Sequence, residues 1–79
     1  MTYRQYNLNL IYKECSKLSI DIKPVIINKL IIENNINDYQ LDVIDLKNQI
    51  KYYIIYYRNK QEQYIENHYQ IIHFVNNMN

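Results

Sequence analysis

Few residues in this chain are of types that do chemistry. There are two histidines, His68 and His73, one thiol, Cys15, and a carboxylate pair at i, i+4, Glu62 and Glu66. Five positions on an α-helix turn through about 140°, so the two imidazoles do not share a face and a metal would need carboxylates from elsewhere. Both histidines read as surface or packing residues. Cys15 lies on the apolar face of the first expected helix, and a reactive thiolate would want a helix N-terminus or a cation beside it. Glu62 and Glu66 have the spacing of a joint acid–base site, but the same spacing describes a solvated helix face. With no glycine in the chain, phosphate-cradling loops, nucleophile elbows and dinucleotide fingerprints are excluded. No catalytic, metal or cofactor site can be assembled, and the sequence reads as that of a non-enzyme.

The informative stretch is Lys51-Tyr52-Tyr53-Ile54-Ile55-Tyr56-Tyr57-Arg58. On a helix, Tyr53 and Tyr57 form one row and Tyr52 and Tyr56 a second, rotated by about 100°. A single small core is not expected to cover both rows. Tyrosine with a cation nearby suits a half-wet contact, because the ring is rigid and its tip is polar. The expected partner surface is therefore Lys51, Tyr52, Tyr56 and Arg58, with Tyr64 and Tyr69 if the C-terminal segment extends outward. The expected occupant is another protein or a second copy of the chain.

A second reading uses the same residues. Lys47, Lys51, Arg58 and Lys60 beside Tyr52 and Tyr56 have the composition of a nucleic-acid surface, and Ile22–Tyr57 has the outline of a helix–turn–helix. Asp38, Asp42 and Asp45 would then lie where phosphates approach, and a formal charge of +1 supplies little non-specific attraction.

The elements that position these residues are helical. Leu8, Ile11, Tyr12, Cys15 and Leu18 mark one face of a helix over about Tyr3–Ser19. Ser19 or Asp21 caps a second helix over about Ile22–Asn34, with Pro24 in its first turn. That helix is apolar around most of its circumference, so a central position is expected. Asn37 with Gln40 has the form of a capping box, flanked by Ile36 and Leu41 at the staple positions, and predicts a third helix from near Asp38. The acidic residues at its start and Lys47, Lys51, Arg58 and Lys60 further along suit the helix dipole.

A 3–4 spacing then runs from Val43 through Leu46, Ile50, Tyr53, Tyr57, Lys60, Tyr64, Asn67, Ile71 and Phe74 to Met78. Arg58–Gln63 holds no apolar residue. A turn near Asn59, with a fourth helix packing back, is favoured over one long helix because it buries more surface. Without glycine, Asn34, Asn35, Asn59 and Asn76 are the candidate left-handed helix ends. The expected fold is an all-α, three- or four-helix bundle with a long third helix, in one domain over residues 1–79.

Ile11-Tyr12-Lys13 resembles the Leu-Tyr-Arg opening of the LYR-motif mitochondrial adaptors, small helical proteins that bridge acyl carrier protein to assembly machinery. The outline of a basic first helix, a second helix ending in Glu-Asn-Asn and a long third helix is similar over about residues 8–60. Tyr12 matches outright, whereas Ile11 and Lys13 replace the family's Leu and Arg. Ile31, Ile32 and Glu33 stand where the family has Phe and basic residues. The resemblance implies an adaptor function as an alternative.

Size sets the remaining bounds. About 9,000 Å² is buried when a chain of 79 residues folds, which is marginal for a free-standing core. One cysteine cannot form an internal disulfide, so packing or association must hold the fold. No apolar run approaches the roughly 20 residues of a membrane span, and an intracellular, cytoplasmic location is expected. Ile, Asn, Tyr and Lys make up more than half of the chain. Their AT-rich codons suggest an AT-rich genome such as a phage, a virus (the location then being its host's cell), a low-GC bacterium or a protist.

Overall fold

The computed structural model describes the backbone of residues 1–77 and the side chains of residues 1–63. Three helices, in the order α1 (Tyr3–Glu14), α2 (Lys23–Glu33) and α3 (Val43–Asn77), account for its regular structure, and no strand occurs among the described residues. At 1.5 Å per residue, α3 is about 52 Å long, about three times the length of either α1 or α2. All three pairs of helices touch.

α1 starts sharply because Thr2 and Gln5 cap it reciprocally. The Gln5 amide donates to Thr2 Oγ1 (3.2 Å) and the Thr2 amide donates to Gln5 Oε1 (3.0 Å). The helix ends at Glu14, five residues short of the expected Ser19. Ser16 N–H bonds to the Lys13 carbonyl and Leu18 N–H to that of Cys15, and this turn brings Leu18 against the core from outside the helix. Ile11 and Cys15 are fully buried, as the apolar face predicts, whereas Tyr12 is exposed and Asn7 is buried in its stead.

Neither Ser19 nor Asp21 caps α2 through its side chain. Ile22 stands at the N-cap, and the Ser19 carbonyl accepts from the amides of Ile22 and Lys23. Pro24 lies in the first turn as expected. Ile26, Ile27 and Leu30 are buried between α1 and α3, but Val25 and Ile32 face solvent, so α2 is covered on two sides and open on the third.

The start of α3 differs most from expectation. Residues 36–38 form a turn, and the helix begins at Val43. Asp42, not Asn37, is its cap: Asp45 N–H donates to Asp42 Oδ2 (3.2 Å), and Leu46 N–H to the Asp42 carbonyl (3.0 Å). Ile36 and Leu41 are both buried, but in the common core and not as a staple on a helix between them. What holds this segment is Asn7. Its Nδ2 donates to the carbonyls of Ile36 (2.9 Å) and Tyr39 (2.8 Å), and its Oδ1 accepts from Leu41 N–H (2.9 Å). Three long-range bonds fix the connection in a shape that a helix from Asp38 would not allow.

The core consists of Ile11 from α1 and Cys15 at its C-cap, Ile22, Ile26, Ile27 and Leu30 around α2, Ile36 and Leu41 from the connection, and Leu46, Ile50 and Tyr53 from α3. Among the described side chains, Tyr57 is the last seam residue packed against it. No turn forms near Asn59. The chain stays helical through the polar stretch to Asn77, so the expected fourth helix is replaced by an extended α3. Asn34 does end α2, but with extended backbone (φ −102°, ψ 145°), and no described residue has the left-handed conformation. Its Nδ2 instead bonds to the Leu30 carbonyl (2.8 Å) and to Gln49 Oε1 (2.7 Å), while Gln49 Nε2 returns a bond to Asn34 Oδ1 (3.2 Å). A reciprocal amide pair thus closes α2 and fastens it to α3.

Candidate functional site: an aromatic groove between α2 and α3

The tyrosine block occupies two successive turns of α3. Tyr53 is buried and Tyr57 half-buried, while Tyr52 and Tyr56 are 62% and 41% exposed. The outer rings stack on each other (6.3 Å between centroids, 16° between planes), and each meets an inner ring edge-on, Tyr52 with Tyr53 at 5.4 Å and Tyr56 with Tyr57 at 5.1 Å. Such offset and edge-to-face contacts rigidify the exposed pair without burying it.

These four rings form one wall of a groove of about 530 Å³. Lys29 and Glu33 of α2 and Lys60 of α3 complete it. Lys29 Nζ and Glu33 Oε1 are paired at 3.0 Å, and the pairing holds the Lys29 ammonium above the ordinary lysine value. Lys60 Nζ lies 5.0 Å from the centroid of the Tyr56 ring, a cation–π distance. Contact with the Tyr56 hydroxyl raises the Lys60 ammonium too, and the positive charge of Lys29 opposes that shift.

Lys51 and Arg58, expected beside the tyrosines, are exposed but lie elsewhere on α3. Lys51 is about 100° from Tyr52, and Arg58 about 160° from Tyr56. The cations that share the groove are Lys29 and Lys60. Lys60 is legible in sequence as the i+4 neighbour of Tyr56. Lys29 and Glu33 carry no such signal, because only the packing of α2 on α3 brings them to the tyrosines. Tyr64 and Tyr69, and with them His68, His73 and Glu66, lie outside the described side chains.

A second, smaller groove of about 160 Å³ lies towards the start of α3 on the same α2–α3 side. Asp42, Asp45 and Gln49 line it together with Asn34, Tyr39, Leu41 and Leu46. The thiol is enclosed. Cys15 is fully buried, and desolvation, with the neighbouring Glu14 charge, pushes its thiol up to about 11. A thiol with that value is protonated at neutral pH and is a poor nucleophile. Among the described residues no cluster of three or more His, Cys, Asp or Glu has the arrangement of a metal site, and no helix is long and apolar enough to cross a membrane.

No family model, curated protein or solved structure matches the chain. The resemblance of Ile11-Tyr12-Lys13 to the LYR-motif adaptors thus rests on those residues and the helical outline. Within that tripeptide Ile11 is fully buried, and Tyr12 and Lys13 face solvent.

Proposed function

We propose that this chain is a non-enzymatic protein-interaction module, a small regulator, inhibitor or assembly subunit acting inside the cell. It docks the tyrosine-rich flank of α3 on a partner protein or on a second copy of itself. The observation that carries the reading is the exposure of Tyr52 and Tyr56 as a stacked pair on a groove wall. Aromatic residues in a preformed cleft are the usual anchors of an interface, because they desolvate a large rigid area at little entropic cost.

Lys29 and Lys60 act as rim charges. Nucleic acid is the weaker reading, since Asp38, Asp42 and Asp45 are exposed around the start of α3 and would repel phosphates there. Replacing Tyr52→Ala together with Tyr56→Ala tests the proposal. Helicity by circular dichroism is expected to be nearly unchanged while association is lost. Unfolding of the double variant would place the rings in the core and end the assignment.

A further inference from the structure

The groove surface has a polarity along α3. Asp45, Gln49, Tyr52, Tyr56 and Lys60 fall within a sector of about 80°. Asp45, with its neighbour Asp42, marks one end of this stripe, and Lys60 marks the other, about 22 Å away. Between them the stripe carries no charge. All five residues line the two grooves on the α2–α3 side, the acidic residues in the smaller and Lys60 in the larger. Tyr52 stands within one residue of the midpoint between Asp45 and Lys60, and it is the most exposed ring on the stripe.

A stripe that is acidic at one end, basic at the other and aromatic at its centre is complementary to itself when rotated by 180°. We infer that the occupant of this face is a second copy of the chain, its α3 antiparallel, with the two-fold axis passing near Tyr52. This rests on the docking face proposed above and names its partner. In that arrangement each copy's Lys60 meets the other's Asp45 and Asp42 and fills the smaller groove. The Tyr52 rings meet at the axis, and Gln49 faces Tyr56. A closed two-fold interface uses the same patch twice and leaves no free copy of it to propagate a filament. The contact also supplies the apolar burial that so small a core lacks.

The test is a charge swap followed by light scattering on purified full-length chains. The native protein is expected near twice its 9.8 kDa chain mass. Lys60→Glu sets a carboxylate against Asp45 in both halves of the dimer, and Asp45→Lys sets an ammonium against Lys60. Each variant alone is expected to weaken dimerisation at least about tenfold, since like charges at an interface repel. An equimolar mixture of the two variants restores an opposite-charge pair at both ends of the interface, so a heterodimer is expected where neither variant forms a homodimer. That rescue also shows that both variants are folded.

A native chain that remains monomeric at about millimolar concentration overturns the inference. A native dimer indifferent to both charge reversals, or a mixture that fails to re-form it, overturns the two-fold geometry. Should such a dimer still be lost with Tyr52→Ala and Tyr56→Ala, the tyrosine face stands as a docking surface and only this pairing fails. A dimer that survives the tyrosine replacements as well removes both.

Discussion

The side chain of Asn7 accepts a hydrogen bond of 2.9 Å from the backbone amide of Leu41, a residue 34 positions further along the chain. Together with the bonds from Asn7 to the carbonyls of Ile36 and Tyr39, it ties the first helix to the connection that leads into the last. Asn7 is fully buried, and its amide uses both donor hydrogens and its carbonyl oxygen in these bonds. The contact makes the path of residues 36–41 a property of the tertiary fold.

Asn7→Ala is expected to be among the most damaging substitutions. It leaves a buried amide and two carbonyls without their partner, and the cost is about 2–4 kcal/mol, since each orphaned buried group costs roughly 1–3 kcal/mol and water reaches the less buried Tyr39 carbonyl. Thermal unfolding should fall by roughly 10–25 °C on the scale of a domain this small. Asn7→Asp should be no better, because its carboxylate faces the two carbonyls that Nδ2 now serves. A change of less than about 5 °C in the Asn7→Ala melting curve would contradict the role given to this residue.

Capping offers a direct contrast at the start of α3. Asp42→Ala removes the acceptor for Asp45 N–H and should cost about 1 kcal/mol, whereas Asn37→Ala should be close to neutral. Urea denaturation of both variants checks this, and a larger loss at Asn37 would restore the helix start expected from the capping-box pattern.

At the end of α2, the backbone of Asn34 is extended, so glycine has no left-handed conformation to relieve there. Asn34→Gly should therefore destabilise at least as much as Asn34→Ala, by about 1–2 kcal/mol, because both lose the bonds to Leu30 and Gln49. Denaturant midpoints of the two variants measure the difference. A clearly more stable glycine variant would show that the cap is left-handed after all.

Cys15 gives the fold a pH dependence at the alkaline end. Burial raises its pKa in the folded chain from the ordinary 9.0 to about 11, so the unfolded chain releases the thiol proton first. The resulting stability is fully present below about pH 9 and is lost between about pH 9 and 11. The loss amounts to about 2–3 kcal/mol. The tyrosines also titrate in that range, so the quantity to measure is the unfolding free energy of the native chain minus that of Cys15→Ala. That difference should fall as pH rises from about 9 to 11. A flat difference would show that Cys15 reaches solvent, as would rapid alkylation by iodoacetamide at mildly alkaline pH.

Much of the architecture is legible in the order of residues. The helical character of all three segments follows from the 3–4 spacing of Ile11, Cys15, Leu30, Leu46, Ile50 and Tyr53, since burial of one stripe requires that period. So does the division of the tyrosine block into rows, because neighbouring residues on a helix are turned by about 100°.

The spacing does not say where each helix stops. Asn37 and Gln40 satisfy a local capping pattern, but three bonds from Asn7 hold that segment in another conformation. Nor does it reveal that α3 passes through Arg58–Gln63 without turning, because local polarity is compatible with a solvated helix as well as with a loop.

The grouping of Lys29 and Glu33 with Tyr52, Tyr56 and Lys60 was decided by the tertiary structure alone. Helical periodicity places residues around one axis. Which residues of two helices share a groove depends on how the axes pack, and that is set by the buried contacts of Ile26, Leu30, Ile50 and Tyr53 together with the Asn34–Gln49 amide pair.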